Sequence, residues 1–296
     1  MPSLKEVKTR INSVTSTRKI TSAMKMVASA KLHHAQQAIL GMLPYERRLN
    51  GILTNFLKGD VSFSSPYVLV RPVTHVAIVV FSSNTSLCGA FNSNVVKMFQ
   101  KTLEDYSTLD KESILVYPIG KHIEKATRKM GFQPVASFQK LAEKPNYKDA
   151  AAIAADLLQK FAAGEIDKVE MIFHHFQSPA VQHLQRVTLL PIDVEQLRRE
   201  VASAQVENKS KYLNDYIVEP NVEELIASLL PQVVFQKVYT ALVDSNASEH
   251  AARTMAMQIA TDNADDLIQD LTVQYNKSRQ QAITSELLDI IGGTMK

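Results

Sequence analysis

The sequence predicts an α/β protein in which a long antiparallel coiled coil of the N- and C-terminal helices joins a Rossmann-like α/β domain. Three observations predict it. From Ser248 onward no proline or glycine occurs before Gly292, and Met257, Thr261, Ala264, Ile268, Leu271, Tyr275, Ser278 and Ala282 follow at alternating steps of three and four. That is the period of a coiled-coil seam. Between Ser3 and Gly41 the chain is likewise free of proline and glycine. Between these two stretches, apolar runs of strand length alternate with helically spaced segments, the pattern of a mainly parallel sheet.

The C-terminal helix has a start signal in Glu219-Pro220-Asn221, where Asn221 caps and Glu224 completes a capping box. Pro231 is its internal flaw and predicts a kink. A run of about 70 residues is ~105 Å long at 1.5 Å per residue, too long for one globular domain, so it is expected to protrude. After Ser278 the strong apolar residues shift to Ile283, Leu287 and Ile290, as if the seam passed to a different partner.

The N-terminal helix opens with a Ser3–Glu6 capping box. Its apolar positions are Leu4, Val7, Ile11 and Val14, then Ile20, Met24 and Val27, and later Leu49, Ile52, Leu53, Phe56 and Leu57. Gly41 and Pro44 mark a bend within it. Lys5, Lys8, Arg10, Arg18, Lys19, Lys25 and Lys31 make its outer face basic, whereas Asp262, Asp265, Asp266, Asp270, Glu286 and Asp289 make the C-terminal run acidic. A folded middle closes the hairpin, so the two helices pair antiparallel.

In that middle, Val76–Phe81 and Ile114–Ile119 read as strands buried on both faces, Val135–Phe138 as a weak strand, and 169–176 and 181–190 as a pair turning at Ser178-Pro179. Helical spacing covers 92–106, 121–130 and 147–163. The expected boundaries are 1–60 and 212–296 for the shaft, 68–195 for the α/β domain and 196–211 for a polar, mobile connection.

A net charge of +3 argues against a dedicated nucleic-acid binder, and the single cysteine, Cys88, excludes an intrachain disulfide. No apolar run approaches the ~18 residues of a membrane span. No signal peptide precedes the first helix, which points to the cytoplasm. The turn Ser82–Asn92 has one glycine, Gly89, where a dinucleotide fingerprint needs three, and it lacks the Gly-Lys-Ser/Thr of a P-loop. Cys88 has no His or Asp assigned to it by spacing and reads as a buried thiol. His174 and His175 are adjacent in a strand, so they face opposite sides and cannot share a metal. His33 and His34 read as solvated.

The run Arg10-Ile11-x-Ser13-Val14-x-x-Thr17-x-Lys19-Ile20-Thr21-x-Ala23-Met24-x-Met26-Val27-Ala28 resembles the opening helix of the gamma subunit of F-type ATP synthases. Leu87-Cys88-Gly89-Ala90-Phe91-Asn92 is similar to that family's first turn, and Tyr216-x-x-Glu219-Pro220 to the bacterial approach to the last helix. Ser248-Glu249-x-Ala251-Ala252-Arg253 and Tyr275-Asn276-x-x-Arg279-Gln280-x-x-Ile283-Thr284-x-Glu286-Leu287 resemble its core. The likeness runs from end to end. Ser83-Asn84-Thr85-Ser86 departs from the family's Ser-Asp-Arg-Gly, and Thr294 stands where an alanine is usual.

The resemblance implies a central shaft inside a ring of three alpha and three beta subunits, its α/β foot on epsilon and the membrane c-ring. It couples proton- or sodium-driven rotation to ATP synthesis or hydrolysis, and needs no cofactor or metal of its own. It further implies that Arg253, Gln280 and Thr284 face the catalytic subunits' loops, that Met24 and Lys25 lie near their acidic lever, and that Ile283, Leu287 and Ile290 run in an apolar sleeve. Tyr216 and Glu219 match the loop over the c-ring. The absence of a transit peptide favours a bacterial protein, peripheral on the cytoplasmic face of the plasma (inner) membrane. The competing class is an α/β enzyme with a coiled-coil dimerisation arm, which a cofactor fingerprint after the first strand would mark.

Overall fold

The computed structural model describes residues 3–57, 65–193, 218–219 and 221–294. It contains two compact units, Met1–Ala30 with Arg253–Lys296, and Lys31–Ala252. Helices α1 (Leu4–Leu57) and α6 (Val222–Thr294) contribute to both.

In the first unit α1 starts at a complete capping box. The Glu6 N–H donates to Ser3 Oγ at 3.2 Å and the Ser3 N–H to the Glu6 carboxylate at 2.8 Å. The antiparallel register is visible in two contacts, Thr21 Oγ1 to Thr261 Oγ1 at 2.8 Å and Arg18 Nη1 to Asp265 Oδ1 at 2.8 Å. Met257, Ala264 and Leu271 are buried, with Thr261, Ile268, Tyr275 and Ser278 half-buried between and beyond them. The α6 seam therefore forms as its spacing predicts as far as Ser278, but Ala282 is exposed.

On α1 the expected seam needs correction. Ile20 and Val27 are each 59% exposed. The contact line instead keeps strict three–four steps from Val14 through Arg18, Thr21, Lys25 and Ala28, of which Thr21 and Ala28 are buried and Arg18 and Lys25 half-buried. Spacing prevails over hydrophobicity because a helix face is fixed by geometry; small Ala28 and the paired threonines let the backbones approach. Arg18 and Lys25 thus flank the seam and do not belong to an outer basic face. The Arg18–Asp265 pair is about half open to water, so it contributes ~0–1 kcal/mol and serves register more than stability.

Extending this register places Leu4 opposite Ser278. Beyond it α6 has no α1 residues left to pack on, and positions 279–291 are all exposed. From Arg279 to Thr294 the helix continues for ~24 Å at 1.5 Å per residue.

In the second unit the strands β1 (Val76–Phe81), β2 (Ile114–Ile119), β3 (Lys168–Phe176) and β4 (Gln182–Leu190) form one sheet in the order β2-β1-β3-β4. β1 runs parallel to β2 and β3, and β4 antiparallel to β3. The helices are α2 (Phe91–Asp105), α3 (Lys121–Lys129), α4 (Gln139–Glu143) and α5 (Tyr147–Ala163).

Every β1 side chain is at most 1% exposed. Ala77, Val79 and Phe81 pack into a core with Leu157 and Phe161 of α5, Leu49 and Leu53 of α1, and Ile226, Leu230, Val234 and Val238 of α6. Val76, Ile78 and Val80 pack on Val95 and Phe99 of α2 and Ile123 of α3. Alternation with both faces covered explains the continuous apolar run, and each large side chain so buried stabilises by ~1.5–3 kcal/mol. On the α2 side, Arg186 of β4 makes a two-pronged contact to buried Glu170 of β3 (2.7 and 3.1 Å) and also pairs with Asp105, fastening the edge strand.

Asn221 caps α6 as expected: Glu224 N–H donates to its Oδ1 at 2.8 Å, while its Nδ2 donates to the Glu224 carboxylate at 3.1 Å. Pro44 and Pro231 lie inside α1 and α6 without ending either helix.

The expected strand at 135–138 does not form. Its contact with the sheet is a single bridge at Pro134–Val116, and Pro134 has no N–H to extend it. The segment turns instead toward buried Glu124, which accepts from Ser137 Oγ at 2.8 Å and Gln139 Nε2 at 2.9 Å. Those hydrogen bonds, that from Gln139 first, hold the Glu124 carboxyl below its ordinary value against burial. One 18-residue window of α6, contrary to the expectation from sequence, reaches a mean hydropathy of 1.3. Half of it is buried, as a core helix requires.

The end of the seam is testable by a pair of truncations. Leu271→Ala removes a side chain only 4% exposed and is expected to cost ~2–5 kcal/mol. Leu287→Ala, at a position 55% exposed, should change stability by less than ~0.5 kcal/mol. Urea unfolding followed by circular dichroism measures both, and equal losses would mean that the seam continues past Ser278.

Candidate functional site

Two places in the fold could carry function: the carboxyl end of the sheet, where doubly wound folds hold nucleotides, and the exposed end of α6.

At the sheet, the turn after β1 is tied up by its own polar groups. Ser83 Oγ donates to the Thr85 carbonyl at 2.6 Å, Asn92 Nδ2 donates to Ser83 Oγ at 2.7 Å, and the Ser83 N–H donates to Asn92 Oδ1 at 3.1 Å. Asn92 Nδ2 also reaches buried Cys88 Sγ at 3.2 Å, so the thiol is a packed member of the turn. Leu87 and Gly89 carry positive φ angles of 66° and 59°. The first N–H groups of α3, which would otherwise greet an anion, are already satisfied. Ile123 N–H donates to Ser82 Oγ at 3.0 Å, Lys121 N–H to Asn84 Oδ1 at 3.0 Å, and His122 N–H to the Ser83 carbonyl at 3.2 Å. Gly120 permits this closeness: at φ 110°, a Cβ there would stand 2.2 Å from the Ser82 carbonyl oxygen.

An open depression of about 510 Å³ remains beside the turn, between Leu87, Asn92, Val96 and His122, and the opening next to it is covered by α6. Its Asn246 Nδ2 donates to the Ala142 carbonyl at 3.2 Å, its Ser248 Oγ to the His174 carbonyl at 3.3 Å, and its buried Asp244 meets His175 Nδ1 at 2.6 Å. The space left between Phe81, Ser82 and Ile119 on one side and Leu242, Ser245 and Glu249 on the other is about 10 Å³. Ligand pockets hold ~300–1,000 Å³, so this volume suits at most a water. His174 and His175 do face opposite sides: His174 stacks on Phe91 at 4.2 Å, and burial lowers its pKa to about 4. Among the described residues, no three His, Cys, Asp or Glu side chains come together as metal ligands.

The exposed end of α6 differs in kind. Ile283, Leu287 and Ile290 are 48%, 55% and 60% exposed, and Leu288 and Ile291 join them at 64% and 57%. At ~100° per residue these five fan over roughly 160° of the helix surface, far wider than a seam stripe. Gln280 and Thr284 are exposed on the same stretch, and the Thr284 hydroxyl donates to the Gln280 carbonyl at 2.9 Å. Met24 and Lys25 are half-buried on α1. Arg253, by contrast, is only 8% exposed and already engaged within the chain. Glu219 is exposed just before the α6 cap, and Tyr216 lies outside the described residues.

Sequence reasoning missed Thr21, Asp244, Asn246 and Ser248. Strict three–four counting from Val14 reaches Thr21. The other three lie in the largely polar run from Asp244 to His250, a signal for polar docking but not for what it docks on.

A family model described as ATP synthase matches residues 3–295. The ATP synthase gamma chain of Bacteroides fragilis is 62% identical over 295 residues, covering 100% of both chains. That of Bacteroides thetaiotaomicron is 60% identical over 298 residues, again covering 100% of each. Among solved structures, a chain of the Euglena gracilis mitochondrial ATP synthase (OSCP/F1/c-ring, rotational state 3) aligns with TM-score 0.64 at 20% identity, covering 99% of this chain and 93% of its own. A chain of the Tetrahymena thermophila mitochondrial ATP synthase central stalk/c-ring gives 0.55 at 21%, covering 81% and 99%. At those identities the structural likeness concerns the fold.

The closed turn predicts a ranking. Ser82→Ala deletes one acceptor of the α3 N-terminus and should cost ~1 kcal/mol. Gly120→Ala forces a Cβ against the Ser82 carbonyl in a left-handed conformation, and should cost more than Ser82→Ala. Thermal unfolding of the two variants tests the order, and a harmless Gly120→Ala would contradict the packing described.

Proposed function

The chain belongs to the ATP synthase gamma-chain family, and from that premise we propose how its parts serve the complex. As a family member it is the central rotor shaft of an F-type ATP synthase, a subunit of the complex in which catalysis lies elsewhere, in the beta subunits. In our reading the shaft is 1–60 with 212–296, the foot is 68–195, and the connection is 196–211, which lies outside the described residues.

The observation that carries the finer proposal is the exposed apolar surface near the end of α6. A wide apolar surface on a single helix marks a partner site. A fan of roughly 160° at ~100° per residue fits a collar better than one neighbouring helix. We assign that collar to the ring of three alpha and three beta subunits, with Ile283, Leu287, Leu288, Ile290 and Ile291 running in it. An apolar bearing suits a turning shaft because its attraction is non-directional and locks to no single neighbour. Gln280 and Thr284 are proposed to exchange polar contacts with the catalytic subunits' loops, and Met24 and Lys25 to meet their acidic lever. Arg253 joins this set on the condition that its covered guanidinium swings outward. Tyr216 and Glu219 are proposed to rest on the c-ring, with epsilon on the α/β foot. The chain is then held peripherally at the cytoplasmic face of a bacterial plasma membrane, through the c-ring.

The test is cysteine cross-linking in the assembled complex. Tyr216→Cys should join a c subunit, and Ile290→Cys only alpha or beta. A cross-link from position 290 to the c-ring would invert the proposed shaft.

A further inference from the structure

The polar docking of α6 on the sheet contains one titratable joint. His175 Nδ1 lies 2.6 Å from Asp244 Oδ2, with the Asp244 side chain 5% exposed and that of His175 48% exposed. Among the described residues His175 is the only hydrogen-bond partner of this carboxylate. We propose that the His175–Asp244 pair is an acid-strengthened latch that fastens the carboxyl end of β3 to α6.

A buried carboxylate is costly unless a donor, and better a cation, faces it. A neutral imidazole supplies one N–H. A protonated one supplies the same N–H with a charge behind it, roughly doubling the strength of the bond. The half-exposed ring of His175 is open to take that proton from water.

The surrounding groups favour the charged form. The hydrogen bond to Asp244 raises the His175 pKa, burial opposes it, and the negative charges of Asp244 on α6 and Glu46 on α1 add to the rise. His183, its cross-strand partner on β4, holds Gln177 Oε1 through Nε2 at 2.8 Å. Further along α6, Glu249 and His250 are buried with partners of their own. The neighbouring His174 has burial alone acting on it and stays neutral.

Two consecutive histidines therefore answer oppositely because strand alternation sends one into a core and the other to a carboxylate. Since the folded pKa of His175 lies above its ordinary value of 6.5, the latch is at full strength below that pH and weakens as pH rises through the folded value. The neutral bonds from Asn246 and Ser248 hold throughout. Acid thus stiffens the joint between the sheet and α6, and alkali loosens it without undocking it.

The test is hydrogen–deuterium exchange of the assembled complex at about pH 6 and about pH 8.5, corrected for intrinsic exchange, reading peptides that cover 240–248. In the unaltered protein, protection should fall roughly two- to fivefold between the two, as for an ion pair partly open to water. His175→Gln should remove the pH dependence at the low level of protection. His175→Lys, with a charge that persists at both pH values, should remove it at the higher level. No pH dependence in the unaltered complex, or a dependence that survives in either variant, would overturn the proposal.

Discussion

The unequal length of two helices is the constraint on which the rest depends. α1 and α6 pair at Arg18–Asp265 and Thr21–Thr261, and that register exhausts α1 near Ser278. In the remainder of α6, Ile283, Leu287, Leu288 and Ile290 are exposed. A seam of leucines and isoleucines would have held the pair more tightly, but here the buried positions on the α1 line are Thr21, bonded to Thr261, and Ala28. Polar and small seam residues specify register at some cost in stability. For a shaft whose end must stand in a fixed place, register is the property that matters.

α6 has a second task in the other unit. Between Ile226 and Leu242 it supplies core residues beneath the sheet. From Asp244 to Ser248 it turns polar and satisfies groups at the sheet's carboxyl end. The crevice beneath α6 is filled by the protein's own helix and turn, down to a residual space of about 10 Å³, while the depression beside Leu87 and Asn92 stays open. The fold is thus used as a body to grip, and its usual binding crevice becomes the point of attachment.

Much of this was legible in the residues. Val76–Phe81 announced a doubly buried strand, Ser3–Glu6 and Asn221–Glu224 announced helix starts, and the displaced apolar run after Ser278 marked where α6 leaves the seam. The α1 seam was misread where hydrophobicity and geometry disagree: Ile20 and Val27 attract attention, yet the face leads through Arg18 and Thr21. The strand expected at 135–138 failed because Val135 follows Pro134 and because Ser137 and Gln139 are drawn to Glu124, a long-range partner no local pattern reveals. The burial of Arg253 and the pairing of His175 with Asp244 were equally hidden, since each depends on tertiary neighbours far away in sequence.

The most direct measurement is rotation itself. Lys129, exposed at the end of α3, carries a nanorod through Lys129→Cys while the assembled complex is immobilised by its catalytic ring. The account predicts that ATP drives the rod in one direction, in thirds of a turn. A rod that stays still while the same complexes hydrolyse ATP would contradict the central claim that this chain is the rotor.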